Sequence, residues 1–206
     1  IRIQRESAQA YHLANCSVVL AHASRYRSIS LSLGSQISRY NLDIRLAEEA
    51  AECTVDGLTL ISNRQLADTH TCIDHVKPNG TSHQQHKCIV DGAAHAVFNG
   101  KIIVRPHAQR TNSSQSSRNL LLSKTAQIDT KPQLEIFADD VKCAHGATVG
   151  QLDPEEIFYL KSRGLSAVIA RNLLTYAFGA EIISRISIPS LRQQLEQTVL
   201  NQTQSN

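Results

Sequence analysis

Cys143 and His145 are the two residues whose types and spacing most directly suggest chemistry. If the backbone is extended there, both side chains project from the same face, with their Cβ atoms about 6–7 Å apart. A thiolate and an imidazole on one face suit zinc, iron or an iron–sulfur species. They could equally serve as a nucleophile and its base. By spacing alone the pair is a weak signal, because most Cys-x-His pairs have a structural role.

A second group of metal-capable side chains precedes this pair. Its members are His70, Cys72, Asp74, His75, His83, His86 and Cys88. Structural zinc sites usually contain Cys-x-x-Cys or His-x-x-x-His elements, and neither occurs here. We therefore interpret these residues as ordinary strand and turn residues, with a zinc site as the alternative.

The remaining polar candidates have simple structural explanations. Asp139–Asp140 is predicted to cap a turn, with help to an incoming cation as the alternative. His95 and His107 flank an apolar strand and are interpreted as surface or core histidines, and Cys16 and Cys53 as small apolar strand residues. The chain has no Gly-x-x-x-x-Gly-Lys phosphate loop and no Gly-x-Ser-x-Gly elbow, so an ATPase or a serine hydrolase is not indicated.

Composition excludes several other functions. The net charge of +3 over 206 residues comes from scattered basic residues, which does not indicate nucleic acid or an anionic membrane as a partner. No apolar run approaches the ~20 residues of a membrane span, and the first residues lack the layout of a signal peptide. Five irregularly spaced cysteines predict a reducing compartment rather than a disulfide framework. Because the chain begins with Ile1, we expect a fragment or a processed chain.

The elements that must position these residues fall into a β part and a helical part. Up to Gly150 the dominant hydrophobic period is two, and strict alternation over 28–33 and 41–46 predicts strands. Many short strands separated by turns indicate an all-β core, which could be a sandwich, a barrel or a β-helix. The polar stretch 111–118 is interpreted as a linker or as an ordered loop that leads into a buried segment.

After Gly150 the pattern predicts three helices. Asp153 and Pro154 form a good helix start, and Gly164 fits the following C-terminal cap. A second helix is predicted over 166–185 with an apolar stripe, and a third from Pro189 to about residue 200, followed by a frayed polar tail over 201–206. The members of the stripe are Ile169, Leu173, Tyr176, Ala180 and Ile183.

Longer sequence segments around Cys143 and His145 resemble the C-terminal half of the SufB/SufD family of the SUF iron–sulfur cluster assembly machinery. The matching segments cover 131–136, 139–143, 145–148, 150–153, 158–160 and 162–164, with further matches at 97–101, 108–111 and 119–123. The Cys-Ala-His-Gly sequence ending at Gly146 favours SufD over its paralogue SufB, which has Glu after the histidine. The resemblance covers roughly residues 68–183 in the same order.

The resemblance implies a fold and a function. It implies a right-handed parallel β-helix core over 1–150, truncated at its N-terminal end, followed by a C-terminal helical domain over 151–206. It implies a non-catalytic scaffold subunit that pairs with SufB through the β-helix and with the SufC ATPase through the helical domain, in the cytoplasm or the plastid stroma. His145 falls on the histidine implicated in cluster assembly, and Cys143 lies beside it. No tightly bound cofactor is implied; iron or an iron–sulfur cluster would be held transiently by His145 and Cys143.

Three further expectations remain open at this point. Tyr176 and Phe178 are candidates for the ATPase contact, with packing onto the β core as the alternative. The open end of an interrupted β-helix predicts self-association of the isolated chain. A purely structural partner and a β-helix enzyme acting on polysaccharide are the other functions considered; the scarcity of aromatic residues, 4% of the chain, disfavours the enzyme.

Overall fold

The computed structural model describes residues 1–204, and side-chain environments up to residue 200. Eleven strands precede three helices in this range. The strands are β1 (Arg2–Gln4), β2 (Tyr11–Leu20), β3 (Arg25–Ser32), β4 (Ile37–Leu46), β5 (Glu52–Ile61), β6 (Leu66–His75), β7 (Thr81–Val90), β8 (His95–Val104), β9 (Asn112–Leu121), β10 (Gln127–Ile136) and β11 (Lys142–Gly150). The helices are α1 (Pro154–Ser162), α2 (Ala167–Ile183) and α3 (Pro189–Gln204).

Strands that follow one another in sequence alternate between two sheets. One sheet has the order β1-β3-β5-β7-β9-β11 and the other β10-β8-β6-β4-β2. All the pairings are parallel, so each turn of the chain stacks on the turn before it. Parallel stacking in two sheets is a β-solenoid, which confirms the predicted β-helix core and excludes the sandwich and the barrel.

The inward faces of the two sheets differ in character. Strands β4, β6 and β8 of the second sheet contribute Leu42, Ile44, Leu46, Ile73 and Ile102 to a buried apolar cluster. In β9 of the first sheet, by contrast, the residues that point inward are polar. They are Ser113, Gln115, Ser117 and Asn119, all buried.

This polar interior explains why the stretch 111–118 was misread. The structure makes it most of strand β9 rather than a linker or a loop. Alternate side chains point inward, and Ser113 and Gln115 hydrogen-bond Ser82 and Gln84 of β7, so the strand is buried without an apolar face. Hydrophobic periodicity cannot detect a strand of this kind.

The helices begin where the sequence predicts. The Asp153 carboxylate caps α1 by accepting from the Glu155 backbone N–H at 2.8 Å, and Ser166 caps α2 by accepting from the Ile169 N–H at 3.2 Å. Gly164, with φ of +93°, follows α1 as predicted. The third helix extends to Gln204, beyond the predicted end, and residues 205–206 of the predicted tail lie outside the described residues.

The second helix packs through the C-terminal part of the predicted stripe. Ile183 is buried and Tyr176 is partly buried, whereas Ile169 is 53% exposed and Leu173 44% exposed. Ala170, Thr175 and Gly179, which the predicted stripe did not include, are also buried. Small residues let the helix approach the outer face of the first sheet closely. A Cβ at Gly179 would lie 3.4 Å from the Cδ1 of Ile89 on β7. None of the helices among the described residues combines the length and hydropathy that a membrane span requires.

Candidate functional site

Cys143 and His145 lie on β11, the last strand of the solenoid. β11 pairs with β9 alone, and the register places Cys143 on Ser113 and His145 on Gln115. Because Ser113 and Gln115 are buried and point inward, the two residues stacked on them share that inward face. The expected same-face arrangement of the thiol and the imidazole therefore holds in the fold.

The two side chains differ in their environment. Cys143 is half-buried and packs against the apolar cluster between the sheets. Burial raises the pKa of the Cys143 thiol, and a hydrogen bond with the backbone of Ser113 partly opposes that shift. His145 is exposed. A thiol with a raised pKa is a poor nucleophile at neutral pH, so the geometry favours His145 as the more available ligand.

The pair lies in a turn that the chain leaves uncovered. We call β10 and β11 together the open turn, because each is the last strand of its sheet. Apolar side chains are exposed there: Ile136 at 41%, the following Phe137 at 58%, and Val149 at 47%. Inward positions that are buried in the turns beneath are therefore accessible to solvent in the open turn.

Two buried files of hydrogen-bonded polar side chains end beneath the pair. Under Cys143, the Ser113 and Ser82 hydroxyls are 2.7 Å apart, and the Ser82 hydroxyl is 2.8 Å from the His75 Nε2. Burial lowers the pKa of His75 to about 4, so the ring is neutral at physiological pH.

The file beneath His145 consists of amides and a hydroxyl. The Gln115 Nε2 donates to the Gln84 Oε1 at 2.7 Å, and the Gln84 Nε2 donates to the Thr71 hydroxyl at 2.8 Å. Sequence reasoning missed both files. Their only trace in the sequence is that every residue within 82–84 and 113–119 is polar.

Outside the pair, the metal-capable residues do not converge. Within residues 1–204 no group of three or more His, Cys, Asp or Glu side chains could hold a metal ion. His86 points inward and stacks on Phe98, with ring centroids 4.4 Å apart, while His70 bonds Asp68 outside at 2.9 Å. The interpretation of this group as ordinary strand residues agrees with the geometry. Cys143 and His145 alone also fall short of a complete coordination sphere.

The other predicted features have structural positions. Asp139–Asp140 lies in a turn, where the Asp140 backbone N–H donates to the Gln109 Oε1 at 2.9 Å. His95 lies 2.8 Å from Asp129 on the outer face of the second sheet. Tyr176 and Phe178 pack, partly buried, against the cluster between α2 and the first sheet. The contact of these two aromatic residues with an ATPase stays a prediction.

Ion pairs join the helical domain to the solenoid. Glu181 of α2 contacts the Lys87 Nζ at 2.5 Å, and Arg185 contacts the buried Asp56 Oδ1 at 2.5 Å and also Gln85. Burial raises the pKa of Asp56, and Arg185 counteracts that shift. A cavity of about 220 Å³ lies beside this seam on the outer face of the first sheet. These contacts fix how the helices lie on the sheet.

These features define a class of protein: a parallel β-solenoid with a helical domain and a thiol–imidazole pair in an uncovered last turn. The chain belongs to the SufBD core domain family of SUF-system iron–sulfur cluster assembly, whose model matches residues 1–178. It is 48% identical over 199 residues to an iron–sulfur cluster assembly SufBD family protein of Synechocystis sp., covering 97% of this chain and 44% of that protein.

Two other relatives agree with this family membership. The Escherichia coli iron–sulfur cluster assembly protein SufD is 40% identical over 195 residues, covering 95% of this chain and 46% of that protein. The chloroplastic protein ABCI7 of Arabidopsis thaliana is 35% identical over 193 residues, covering 93% of this chain and 41% of that protein. The chain thus spans less than half the length of these relatives.

Proposed function

We propose that this chain is a SufD-like scaffold subunit whose open turn forms one side of an iron–sulfur cluster assembly site. The observation that carries the proposal is the position of Cys143 and His145. Both lie on the inward face of β11, the last strand of its sheet, where no further strand of the described residues stacks on them. A site built this way is half a site, and a second chain must supply the rest.

The open turn has the properties of a surface for a partner solenoid. Two sheets end there with unpaired strand edges, which can extend a sheet of another chain. The exposed Ile136, Phe137 and Val149 supply apolar area beside those edges. We propose a SufB homologue as that partner. Self-association through the same surface is the expectation for the isolated chain.

The chemistry follows from the two ligand types. A neutral imidazole binds ferrous iron well, and protonation of the ring releases the metal. His145 would bind iron, as substrate, in the enclosed seam between the two subunits. Cys143 would follow as a second ligand once its thiol is deprotonated, because the metal favours the thiolate. Iron and sulfide pass through this site, so the chain needs no resident cofactor of its own.

The helical domain offers a second surface, which we assign to a SufC-type ATPase. Five apolar side chains of α1 and α2 and the segment between them are 44–73% exposed. They are Phe158, Tyr159, Val168, Ile169 and Leu173. They fit such a contact better than Tyr176 and Phe178, which are partly buried against the sheet. Nucleotide hydrolysis would then belong to the partner, in the cytoplasm or the plastid stroma.

His145→Ala tests the proposed site in the assembled complex. We expect loss of cluster reconstitution, measured by the absorbance of the cluster and by acid-labile sulfide. His22→Ala is the matched control, because His22 is also an exposed histidine but lies in the turn after β2, at the opposite end of the solenoid from β11. Reconstitution by His145→Ala at the rate of the control would remove the proposed role of this residue.

A purely structural subunit is the second candidate, and the environment of Cys143 favours it. That thiol is half-buried against the core and its pKa is raised. Thiol labelling separates the two functions. A structural role predicts that Cys143 labels equally with and without iron in the complex, whereas a ligand role predicts protection by iron.

A further inference from the structure

Gln115 lies directly beneath His145 in the register of β9 and β11. Its side chain is 3% exposed. Its amide Nε2 is committed to the Gln84 Oε1 at 2.7 Å, in the turn below. Because the Gln115 Nε2 makes this hydrogen bond, the Gln115 Oε1 is the polar atom at the upper end of the column of hydrogen-bonded side chains.

The Gln115 Oε1 has no hydrogen-bond partner among the described residues, although the atom is buried. Buried amide oxygens are normally paired, because losing water without gaining a donor is costly. The neighbouring inward residues explain why no donor reaches the Gln115 Oε1. Pro132 in the opposite strand carries no donor, and the Thr130 hydroxyl donates to Ser117.

The donor-bearing side chain that stacks on Gln115 from above is His145. Stacked positions in neighbouring strands are about 4.8 Å apart, a distance that an imidazole side chain can span. The neutral ring carries one N–H and one unprotonated nitrogen.

Gly100 shows that the position of this amide is built into the fold. A Cβ at Gly100 would lie 2.3 Å from the Gln115 Nε2 and 2.9 Å from its Cδ. The amide therefore occupies space that any other residue at position 100 would fill. Together, Gly100 and Gln84 hold the Gln115 oxygen beneath the open turn.

We infer that Gln115 is the positioning residue of His145. In the assembled complex, where a partner covers the exposed ring of His145, the Gln115 Oε1 accepts the N–H of one ring nitrogen; this hydrogen bond is not formed in the chain alone. It fixes the ring in one tautomer and leaves the other nitrogen unprotonated toward the partner side of the open turn. Metal-binding histidines are commonly oriented by such a second acceptor. The metal-binding purpose of this hydrogen bond rests on the proposed function, but the hydrogen bond itself requires no metal.

The test is the tautomer of His145, read by solid-state ¹⁵N NMR of the complex in which this subunit alone carries ¹⁵N-histidine. His145→Ala identifies the signals among the nine histidines of the chain. At pH 8 we expect one dominant tautomer. Gln115→Met should change the tautomer ratio about fivefold, the change that one typical net hydrogen bond supports.

Two further variants make the result specific. Gln115→Glu keeps an acceptor at the position and should retain the wild-type ratio. Ser113→Ala removes a buried polar group two residues along the same strand, beneath Cys143, and should also leave the ratio unchanged, because its hydroxyl bonds Ser82 and not Gln115. Circular dichroism melting of each variant verifies folding.

The outcomes separate the inference from the proposed function. If the ratio is the same in wild type and Gln115→Met, or moves equally in Ser113→Ala, the positioning role is overturned, whatever His145→Ala does to reconstitution. If Gln115→Met shifts the ratio while His145→Ala leaves reconstitution intact, the hydrogen bond stands and the proposed function fails.

Discussion

Replacing Gly100 by Ala should destabilise the solenoid just beneath the proposed site. Gly100 lies in the middle of β8, and its neighbours leave no room for a methyl group. A Cβ there would lie 2.3 Å from the Gln115 Nε2 and 2.8 Å from the Phe98 Cζ. Ordinary van der Waals contact begins near 3.4 Å, so the amide of Gln115 must move by about an ångström.

The expected cost has two parts. Overpacking of a well-packed interior costs about 1–3 kcal/mol. Displacing the amide also weakens its 2.7 Å hydrogen bond to Gln84, a loss of about 1 kcal/mol. The sum is about 2–4 kcal/mol. At roughly 2–4 °C per kcal/mol for a chain of this size, the melting temperature should fall by about 4–16 °C.

The matched control is the same substitution at Gly146, a strand glycine of β11. A Cβ there meets nothing within 4 Å. Gly146→Ala should therefore change the free energy of unfolding by less than about 1 kcal/mol, in either direction. Urea denaturation and thermal melting followed by circular dichroism measure both variants. Equal midpoints for the two alanine variants would refute the packing argument at Gly100.

Three other perturbations test the remaining contacts. Arg185→Ala leaves the carboxylate of Asp56, 1% exposed, without its ion-pair partner. The free energy of unfolding measured by urea denaturation should fall by about 3 kcal/mol. Adding Asp56→Asn should recover part of this loss, and no recovery would contradict the pairing. Burial lowers the pKa of His86 to about 4, so between pH 6.5 and pH 4 the unfolded chain takes up a proton that the folded chain does not. Stability should therefore fall by about 3 kcal/mol as the pH drops through this window, and His86→Phe should lose that share of the slope; an unchanged slope would be evidence against it. Burial raises the pKa of Cys53 and Cys88 to about 12, so thiol reagents at pH 7 should leave both unmodified in the native chain while labelling half-buried cysteines; early labelling of either would contradict their burial.

The contrast between the inward faces of the two sheets has a functional consequence. The second sheet buries Leu42, Ile44 and Ile73, which supplies stability without specific pairing. Strands β7 and β9 of the first sheet use hydrogen-bonded Ser and Gln side chains, which fix position as well as burial. Rigid polar support directly beneath Cys143 and His145 is what a precisely oriented ligand pair requires.

Local signals made part of this structure predictable. Helix starts at Asp153 and Ser166 could be read because a cap depends on residues within one turn. Strand alternation was readable where one face is apolar, as over 41–46. The same signal failed at β9, whose buried face is polar. The apolar stripe of α2 was correct at Ile183 and wrong at Ile169, because small residues such as Gly179 also face the sheet and bring the helix close to it.

The sequence by itself determined the hydrophobic periodicity of the strands and helices, the helix caps and the motifs around Cys143 and His145, since each of these depends on residues close together in the chain. Only the tertiary structure decided what lies beneath the pair. Ser82 and Ser113, like Gln84 and Gln115, are 31 positions apart, and their alignment depends on the register of whole turns, including every loop between them. One residue more or fewer in a strand would turn Gln115 to the outer face. That register makes the Cys143–His145 pair the end of two buried polar files rather than two isolated side chains.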